Sequence, residues 1–334
     1  MQINKNSAIE TPHVAVCLVT YNQEEYIAQA IESVLSQKTS FDVCLYIGND
    51  CSTDETLSVC LNYQKKHPQN IQIISHKKNV GTVCNTFSVL NEILKKKEHY
   101  KYTAMLDGDD YWCDEYKLQK QVDFLENNPD YGLIHTQVAH LNNKTGLIHS
   151  AKRENVRTGY IFPESLEEPM ANCTIVHRTE LLEHVDMEAI EKEYLFSCDY
   201  ITNVIVSKWA SVGFINDVTA VWRRDIDSVS SSKKIEKSLS YIDHEIRSGK
   251  YLSSLFPEHY SFTEDEQKRY IARRKMEIAL AFKDYDLAKD ALNTAQVFEN
   301  RQTLKFCLKN KLFFSVFLNI RQIKKTITQR RKKI

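Results

Sequence analysis

The chain has 334 residues, and its 44 lysines and arginines balance 44 aspartates and glutamates. This length suits one large domain or a catalytic domain with an appendage, and the neutral charge argues against nucleic acid as a partner. The nine cysteines include no C-x-x-C pair, which argues against a disulfide framework. Residues 1–12 are polar and no apolar run is long, which argues against a signal peptide and a transmembrane helix. Together these features predict a cytoplasmic protein.

The first part of the chain alternates predicted strands with predicted helices. Apolar and β-branched runs predict four buried strands, at His13–Thr20, Val43–Ile47, Ile71–Ile74 and Tyr102–Leu106. This alternation predicts an α/β fold in which helices flank a mostly parallel sheet. Beyond residue 127, Tyr131–Leu141 and Asn172–Arg178 are predicted as two further strands.

Polar side chains follow three of these strands where each strand ends. Thr20 ends the first strand and Asn22 follows it, Asp50 follows the second, and an acidic turn with the sequence Asp-Gly-Asp-Asp occupies residues 107–110 after the fourth. Ligands of open α/β sheets bind outside the carboxyl ends of the strands, and clustered carboxylates suit Mg²⁺ or Mn²⁺ with phosphate oxygens as further ligands. The turn alone leaves two other interpretations open: a solvated acidic turn, and the D-x-D of a haloacid dehalogenase-type phosphatase.

Glycine-rich phosphate loops are absent from the ends of the predicted strands. Neither the G-x-G-x-x-G of nicotinamide dehydrogenases nor the G-x-x-x-x-G-K-[ST] of ATPases follows any of them. The residues that do follow the strands suit a nucleotide that is held by its base and bridged through its diphosphate to a metal ion.

Four motifs in order along the chain resemble the family 2 glycosyltransferases of the GT-A fold. They are Val16–Asn22, Asn49–Asp54 in place of the family's D-D-x-S-x-D, Asn79–Gly81 and Leu106–Asp110, followed by a matching helix at Lys117–Leu125. The likeness covers residues 13 to 232. It implies an inverting enzyme of the bacterial surface-polysaccharide type, which moves a hexosyl or N-acetylhexosaminyl group from a UDP-sugar to a hydroxyl of a saccharide or lipid-linked saccharide.

The resemblance implies a donor site built from the first two motifs. Val19, Thr20 and Asn22 would line the base pocket, and Asp50 would accept the N3–H of uracil or thymine. Asn49 departs from the family pattern, because it stands where the first aspartate of the usual pair is found. This departure leaves one carboxylate for the base.

The resemblance also implies a metal site at the acidic turn. Asp109 and Asp110 would form the D-x-D element and bind Mg²⁺ or Mn²⁺, with Asp110 the most direct ligand. Asp107 would contact the ribose or support the metal ligands from behind. Asp225 stands where relatives carry a histidine that can complete the metal shell, and a carboxylate there would serve a hard cation equally well.

The remaining implied roles concern the reaction itself. Asp199 stands where the family carries its general base, at the start of a helix, and the alternative interpretation is an ordinary helix N-cap. Arg223 or Arg224 would neutralise the departing diphosphate. These assignments make residues 1–232 the glycosyltransferase domain.

From Lys233 onward the pattern changes to helices. Helices are predicted at Glu264–Phe282 and Asp286–Phe298, so residues 233–311 form a helical appendage. Residues 312–334 carry apolar residues on one helical face and lysines and arginines on the other. This tail predicts peripheral binding to an anionic membrane surface on the cytoplasmic side, and a docking helix with a solvated charged face is the alternative.

Two other functions stay open from the sequence. Asn49 and Asp225 differ from related sequences, so the chain could bind a nucleotide sugar without turnover. A nucleotidyltransferase shares a related sheet, but that class carries a Gly-rich, Arg-containing loop after the first strand, and residues 21–24 are Tyr-Asn-Gln-Glu.

Overall fold

The computed structural model describes residues 13–143, 145–150, 153–163, 170–193, 195, 197–224 and 235–294. They fall into two compact units, one ending at position 225 and the other beginning at position 226. The boundary at residue 232 stays a prediction, as does the tail 312–334, which lies outside the described residues.

One mixed sheet forms the centre of the first unit. Its strands are β1 (His13–Thr20), β2 (Val43–Asn49), β3 (Ile71–Ser75), β4 (Tyr100–Asp107), β5 (Tyr111–Trp112), β6 (Tyr131–Asn142), β7 (Leu147–His149), β8 (Val176–Arg178) and β9 (Ser211–Arg224). Their order across the sheet is β3-β2-β1-β4-β8-β6-β9-β5, and β7 pairs with β6. The four strands predicted in the first part of the chain are confirmed, with small differences at their ends.

The first four strands form the parallel part of the sheet. β1 lies between β2 and β4, and β3 pairs with β2, all in the parallel sense. Every residue of β1 after His13 is buried. Both faces of this strand are therefore covered, which explains why its sequence is continuously apolar instead of alternating.

The second part of the sheet is mixed, because β8 is antiparallel to both β4 and β6 while β9 is parallel to β6. Parallel neighbouring strands need a crossover connection, which is usually a helix. An α-helix precedes β9, which is parallel to β6, whereas no α-helix is described between β6 and β8, which are antiparallel. The prediction of a single strand over Asn172–Arg178 is wrong. Asn172–Thr174 is a 3₁₀ turn, in which Thr174 Oγ1 donates to the Ala171 carbonyl at 2.7 Å, a local bond that competes with strand pairing.

Helices cover the sheet of the first unit. They are α1 (Ile27–Leu35), α2 (Thr56–Lys66), α3 (Thr82–Leu94), α4 (Lys117–Asn127), α5 (Met187–Lys192) and α6 (Cys198–Trp209). α1 turns Ile27, Ile31 and Val34 inward, where they join Leu18 and Leu106 of the strands in the main core. Burying this apolar stripe fixes α1 beside the strand ends that carry the candidate site.

The second unit contains three described helices, α7 (Ile235–Leu255), α8 (Glu264–Phe282) and α9 (Tyr285–Thr294). α8 has the predicted bounds and begins at a capping box, in which Thr263 and Glu266 satisfy each other's backbone N–H groups. A buried cluster of four alanines and one methionine packs α8 against α9, namely Ala272, Met276, Ala279, Ala288 and Ala291. Across the described parts of both units, no helix combines the length and apolar character that crossing a bilayer requires.

Candidate functional site

The carboxyl ends of β1, β2 and β4 bring the predicted donor-site residues to one edge of the sheet. Val19 is paired with Asp107 across β1 and β4. Beyond the strands, the N–H of Asp50 donates to the Thr20 carbonyl at 3.0 Å, and the N–H of Gly108 donates to the Val19 carbonyl at 2.9 Å. Residues that are far apart in sequence are therefore neighbours at the edge where α/β proteins bind ligands.

Asp50 organises the turn that follows β3. Its side chain is 2% exposed, and its carboxylate accepts from the N–H of Val80 at 2.7 Å and from the N–H of Gly81 at 2.9 Å. Each carboxylate oxygen has a second lone pair and keeps some acceptor capacity. Asp50 therefore has a clear structural role in this turn, and its contact with a nucleobase stays a prediction.

Asn22 ties the loop after β1 to the loop after β2. Its φ of 51° lies in the left-handed region, which asparagine tolerates better than most residues. Its Oδ1 accepts from the N–H of Thr53 at 2.8 Å, and its own N–H donates to Ser52 Oγ at 3.1 Å. Asn22 therefore fixes the relative positions of two loops at the predicted donor site.

Asn49, the departure from the family pattern, is the last residue of β2. It is fully buried, and its Nδ2 donates to Ser75 Oγ on β3 at 3.1 Å. The amide therefore joins the ends of β2 and β3, a bond that the acceptor-only carboxylate of an aspartate could make only by accepting from the Ser75 hydroxyl.

The acidic turn requires glycine at position 108. A Cβ added there would lie 2.8 Å from Thr20 Cβ and closer still to Gln23 Oε1, a separation that real side chains do not adopt. The missing side chain lets the turn lie against the end of β1. The three carboxylates of the turn are consequently held at the sheet edge.

The acidic turn crowds negative charge in a partly buried place. Burial, together with the nearby charges of Asp109 and Asp199, raises the pKa of Asp107 to about 7, although a hydrogen bond from Asn172 opposes the shift. Burial and the charges of Asp109 and Asp107 also raise the pKa of Asp110 well above its usual range. Repulsion of this kind disfavours the apo carboxylates and is relieved by a bound cation.

The donor chemistry of the turn fits a hard divalent cation, because carboxylate oxygens are the ligands that Mg²⁺ and Mn²⁺ prefer. No group of three histidine, cysteine, aspartate or glutamate side chains is arranged to hold a metal within the ranges that the structure describes. Mg²⁺ is commonly held by one or two carboxylates with substrate phosphates completing the shell. Asp109 and Asp110 suit that arrangement, and Asp225 lies outside the described residues.

Arg223 holds the acidic turn against β9 and α1. Its backbone N–H donates to Asp110 Oδ1 at 2.9 Å, and its guanidinium donates to the Asp109 carbonyl at 2.6 Å and to Gln29 Oε1. The guanidinium also lies 4.9 Å from the ring centroids of Tyr26 and Tyr111. Arg223 is only 7% exposed, so these contacts give it a positioning role, and its predicted contact with a diphosphate stays untested.

Arg224 is the exposed member of the arginine pair. Its guanidinium lies 4.1 Å from the ring centroid of Trp222, and its Nε donates to His140 Nδ1 at 3.4 Å. Stacking on an indole ring orients an arginine while leaving its charge available. Neighbouring residues of a strand face opposite sides of the sheet, so Arg224 faces away from the side on which Arg223 contacts the acidic turn. Its predicted contact with a diphosphate stays untested.

A buried lysine supports the acidic turn from behind. Lys117 is fully buried, its Nζ donates to Gln121 Oε1 at 2.7 Å, and it lies 4.3 Å from the ring centroid of Trp112. Burial lowers the pKa of Lys117 to about 7, although the charges of Cys173 and Asp114 oppose this shift. The contact of the Lys117 amine with the Trp112 ring holds the strand that begins one residue after Asp110.

Asp199 lies in the first turn of α6, as predicted. Ser197 is the N-cap residue, so the alternative interpretation of Asp199 as the N-cap is wrong. Burial raises the pKa of Asp199 although backbone hydrogen bonds at Tyr200 and Asp199 lower it. Asn172 lies between Asp199 and the acidic turn. It lines the same small cavity as Asp199, and its Nδ2 donates to Asp107 Oδ2 at 3.1 Å. A carboxylate with a raised pKa is a stronger base once it is ionised.

Sequence reasoning missed the residues that support the site from within, chiefly Lys117, Asn172 and Cys173. Cys173 is buried, hydrogen bonds to Asp110 through its thiol, and accepts at its carbonyl from Trp112 Nε1 at 2.8 Å. One sequence signal could have identified Lys117. It lies at the start of an amphipathic helix on the same face as Gln121 and Leu125, which are buried. Asn172 and Cys173 gave no local signal, since their partners lie about 60 residues earlier in the chain.

Comparison with known proteins agrees with the motifs. The family model described as glycosyl transferase family 2 matches residues 15–182. An uncharacterised protein of Mycobacterium tuberculosis is 36% identical over 117 residues, which are 35% of this chain and 32% of that protein. The dTDP-rhamnosyl transferase RfbG of Shigella flexneri is 32% identical over 112 residues, 33% of this chain and 37% of its own. The alignments thus span about a third of the length of these curated relatives.

Solved structures share the fold across most of the chain. The TarS 1–349 fragment of S. aureus in complex with UDP-GlcNAc has a TM-score of 0.54 at 14% identity, covering 95% of this chain and 92% of that one. The mannosyltransferase PcManGT of Pyrobaculum calidifontis, in complex with GDP-Man and Mn²⁺, has a TM-score of 0.53 at 14% identity, covering 94% and 88%. At this identity the likeness establishes the GT-A fold alone.

Proposed function

The chain belongs to glycosyl transferase family 2, and from that membership we propose that it is an inverting glycosyltransferase. It transfers a hexosyl or N-acetylhexosaminyl group from a nucleotide diphosphate donor, with UDP as the nucleotide, to a hydroxyl of a saccharide or lipid-linked saccharide in polysaccharide biosynthesis. One observation carries the proposal: Thr20, Asp50, the acidic turn and Asp199 converge on a single edge of the sheet.

The donor is proposed to lie across the ends of β1, β2 and β4. Asp50 accepts the N3–H of the base, Val19, Thr20 and Asn22 border the base, and Asp107 lies near the ribose. Support comes from the folds that resemble this one, which were solved with UDP-GlcNAc and with GDP-Man and Mn²⁺. RfbG, by its name, uses a dTDP-linked sugar, so dTDP and GDP are the alternatives to UDP.

The proposed metal ligands are Asp109 and Asp110, with Asp225 as a third. A bound Mg²⁺ or Mn²⁺ would offset the negative charge that grows on the departing diphosphate. Arg223 or Arg224 would add a positive charge for the diphosphate, and the contacts of Arg223 and Lys117 keep the turn in position. The crowded carboxylates of the turn, with their raised pKa values, support a cation at this place.

Asp199 is proposed as the general base. It accepts the proton of the acceptor hydroxyl while the hydroxyl oxygen bonds to the anomeric carbon. The bond from that carbon to the diphosphate oxygen breaks on the opposite side, so the anomeric configuration inverts. The binding-only alternative is disfavoured because Asp109, Asp110 and Asp199 are all retained.

The anomeric configuration of the product tests this proposal. The protein is incubated with Mn²⁺ and UDP-GlcNAc, UDP-glucose, dTDP-rhamnose or GDP-mannose, with water as the acceptor, and the released sugar is followed by proton NMR. We expect the first-formed sugar to have the configuration opposite to that of the donor. Retained configuration would refute the inverting mechanism. Bound nucleotide without release from any donor would favour the binding-only alternative.

A separate proposal concerns location, and it rests on the basic tail at residues 312–334, outside the described residues. Each lysine or arginine near an anionic leaflet contributes about 1 kcal/mol. Deleting residues 312–334 should move the protein from the membrane fraction of cells to the supernatant, and high salt should release the full chain in the same way. Continued membrane binding of the truncated protein would refute a role for the tail.

A further inference from the structure

A narrow cavity lies behind Asp199 in the first unit, between α3, β4, β8 and α6, and it leaves room for about one water molecule. Its lining includes the apolar side chains of Phe87, Leu90 and Met105 and the polar side chains of His177, Asp199 and Asn203. A cavity of this size beside a carboxylate holds water only when at least two polar atoms can bind it. Whether this cavity can hold a water molecule therefore depends on the hydrogen-bonding atoms of its polar side chains.

His177 offers an acceptor that has no partner in the described structure. Its side chain is 2% exposed, and its Nε2 lies 2.8 Å from Asn203 Oδ1. An amide oxygen only accepts, so Nε2 carries the proton and Nδ1 presents a bare lone pair. Nδ1 is buried without a hydrogen-bond partner among the described residues. Such orphaned atoms are rare in native proteins and call for an unseen water or ligand.

His177 is neutral throughout the physiological pH range, so its Nδ1 stays an acceptor. Burial lowers the pKa of His177 to about 4, although the hydrogen bond to Asn203 opposes the shift. The other titratable groups near Asp199 are Cys198, whose pKa is raised by burial and by the charge of Asp199, and Asp107. Neither group donates a hydrogen bond to His177 Nδ1, which has no partner among the described residues. A donor for this atom therefore has to come from a molecule in the cavity.

We propose that this cavity holds one water molecule, which donates one hydrogen bond to His177 Nδ1 and the other to the carboxylate of Asp199. His177 is then a positioning residue for the base, fixed in turn by Asn203. The proposal rests on the proposed role of Asp199. The water occupies one carboxylate oxygen and leaves the other for the acceptor hydroxyl, and it stabilises the ionised form of a carboxyl group whose burial favours the neutral form.

The first test measures the wild-type protein by NMR with ¹⁵N-labelled histidine. The His177 signals are identified by their loss in His177→Asn. We expect the neutral tautomer with the proton on Nε2, and an Nδ1 signal shifted by a hydrogen bond that it accepts. A proton on Nδ1, or an Nδ1 lone pair without a hydrogen bond, would overturn the proposal.

The second test titrates the Asp199 carboxyl carbon by ¹³C NMR, with the signal identified by its loss in Asp199→Asn. His177→Leu should raise the pKa of Asp199 and strengthen its proton affinity roughly tenfold, about the effect of one hydrogen bond to a charged group. His177→Asn should restore most of the wild-type pKa, because its amide oxygen lies near the place of Nδ1. An unchanged pKa in His177→Leu would overturn the proposal.

His135→Leu is the matched control. His135 is also a buried histidine, 3% exposed and packed on Phe214, but it does not line the cavity. The His135→Leu variant should leave the pKa of Asp199 unchanged. If Asp199→Asn keeps full turnover while His177 still controls the pKa of Asp199, the base assignment fails and the water site stands. If Asp199→Asn is inactive but His177→Leu changes nothing, only the water site fails.

Discussion

Replacing Asp199 with asparagine should lower turnover by about 10²–10⁴-fold, the usual contribution of a general base. Asparagine has nearly the same shape and keeps its place in the first turn of α6, but it cannot take a proton from the acceptor hydroxyl. Binding of the nucleotide should change little, because the base pocket and the acidic turn are built from other elements. Release of UDP measures the first quantity, and calorimetry measures the second.

A control for this variant is Asp123→Asn, which makes the same change on the exposed face of α4. It should leave turnover and nucleotide binding at wild-type values. Turnover of Asp199→Asn close to that of Asp123→Asn would move the base to another residue. A parallel loss of nucleotide binding in Asp199→Asn would mean that its effect is not confined to proton transfer.

Replacing Asp110 with asparagine should weaken the Mn²⁺-dependent part of UDP binding by more than about 100-fold, since even groups behind a metal ligand contribute about 10–100-fold to metal affinity. The substitution keeps an oxygen for the N–H of Arg223, whose bond to Asp110 Oδ1 is 2.9 Å, and removes only the charge. Metal-free binding should be unchanged. Electron paramagnetic resonance of free Mn²⁺ measures the loss without relying on activity.

Asp217→Asn is the matched control for Asp110, because Asp217 is an exposed carboxylate whose partner is Lys120 at 2.7 Å. It should retain full Mn²⁺-dependent binding. If Asp110→Asn bound Mn²⁺ and UDP as tightly as Asp217→Asn, the metal ligands would have to be sought elsewhere. The neighbouring Asp109 and the undescribed Asp225 would then be the next residues to change.

Local sequence determined the parallel part of the fold well, because three of its strands, β1, β2 and β4, are largely buried apolar runs. β1 has the predicted bounds, and the polar residues after β1, β2 and β4 meet at the predicted edge. The sense of the later strands could not be predicted in the same way. β8 has only three residues, and its antiparallel pairing depends on a chain path without a crossover helix.

The support of the site was also beyond prediction, because it joins residues that are far apart in the chain. Arg223 reaches Asp109 and Asp110 across more than 110 positions. Only the folded chain identifies which of the two arginines is locked by its neighbours and which is exposed. The resemblance to a family left open which of the two arginines meets the diphosphate, whereas contacts at the acidic turn give Arg223 a positioning role.

Calorimetric titration of UDP into the wild-type protein, with and without Mn²⁺, tests the proposed donor and metal sites together, with dTDP and GDP titrated in the same way. We expect saturable binding of one of these nucleotides that requires Mn²⁺ or is strongly enhanced by it. Binding of UDP with no effect of Mn²⁺ would contradict the metal site. No binding of any of the three, with Mn²⁺ present, would contradict a nucleotide-sugar donor site at the ends of β1, β2 and β4.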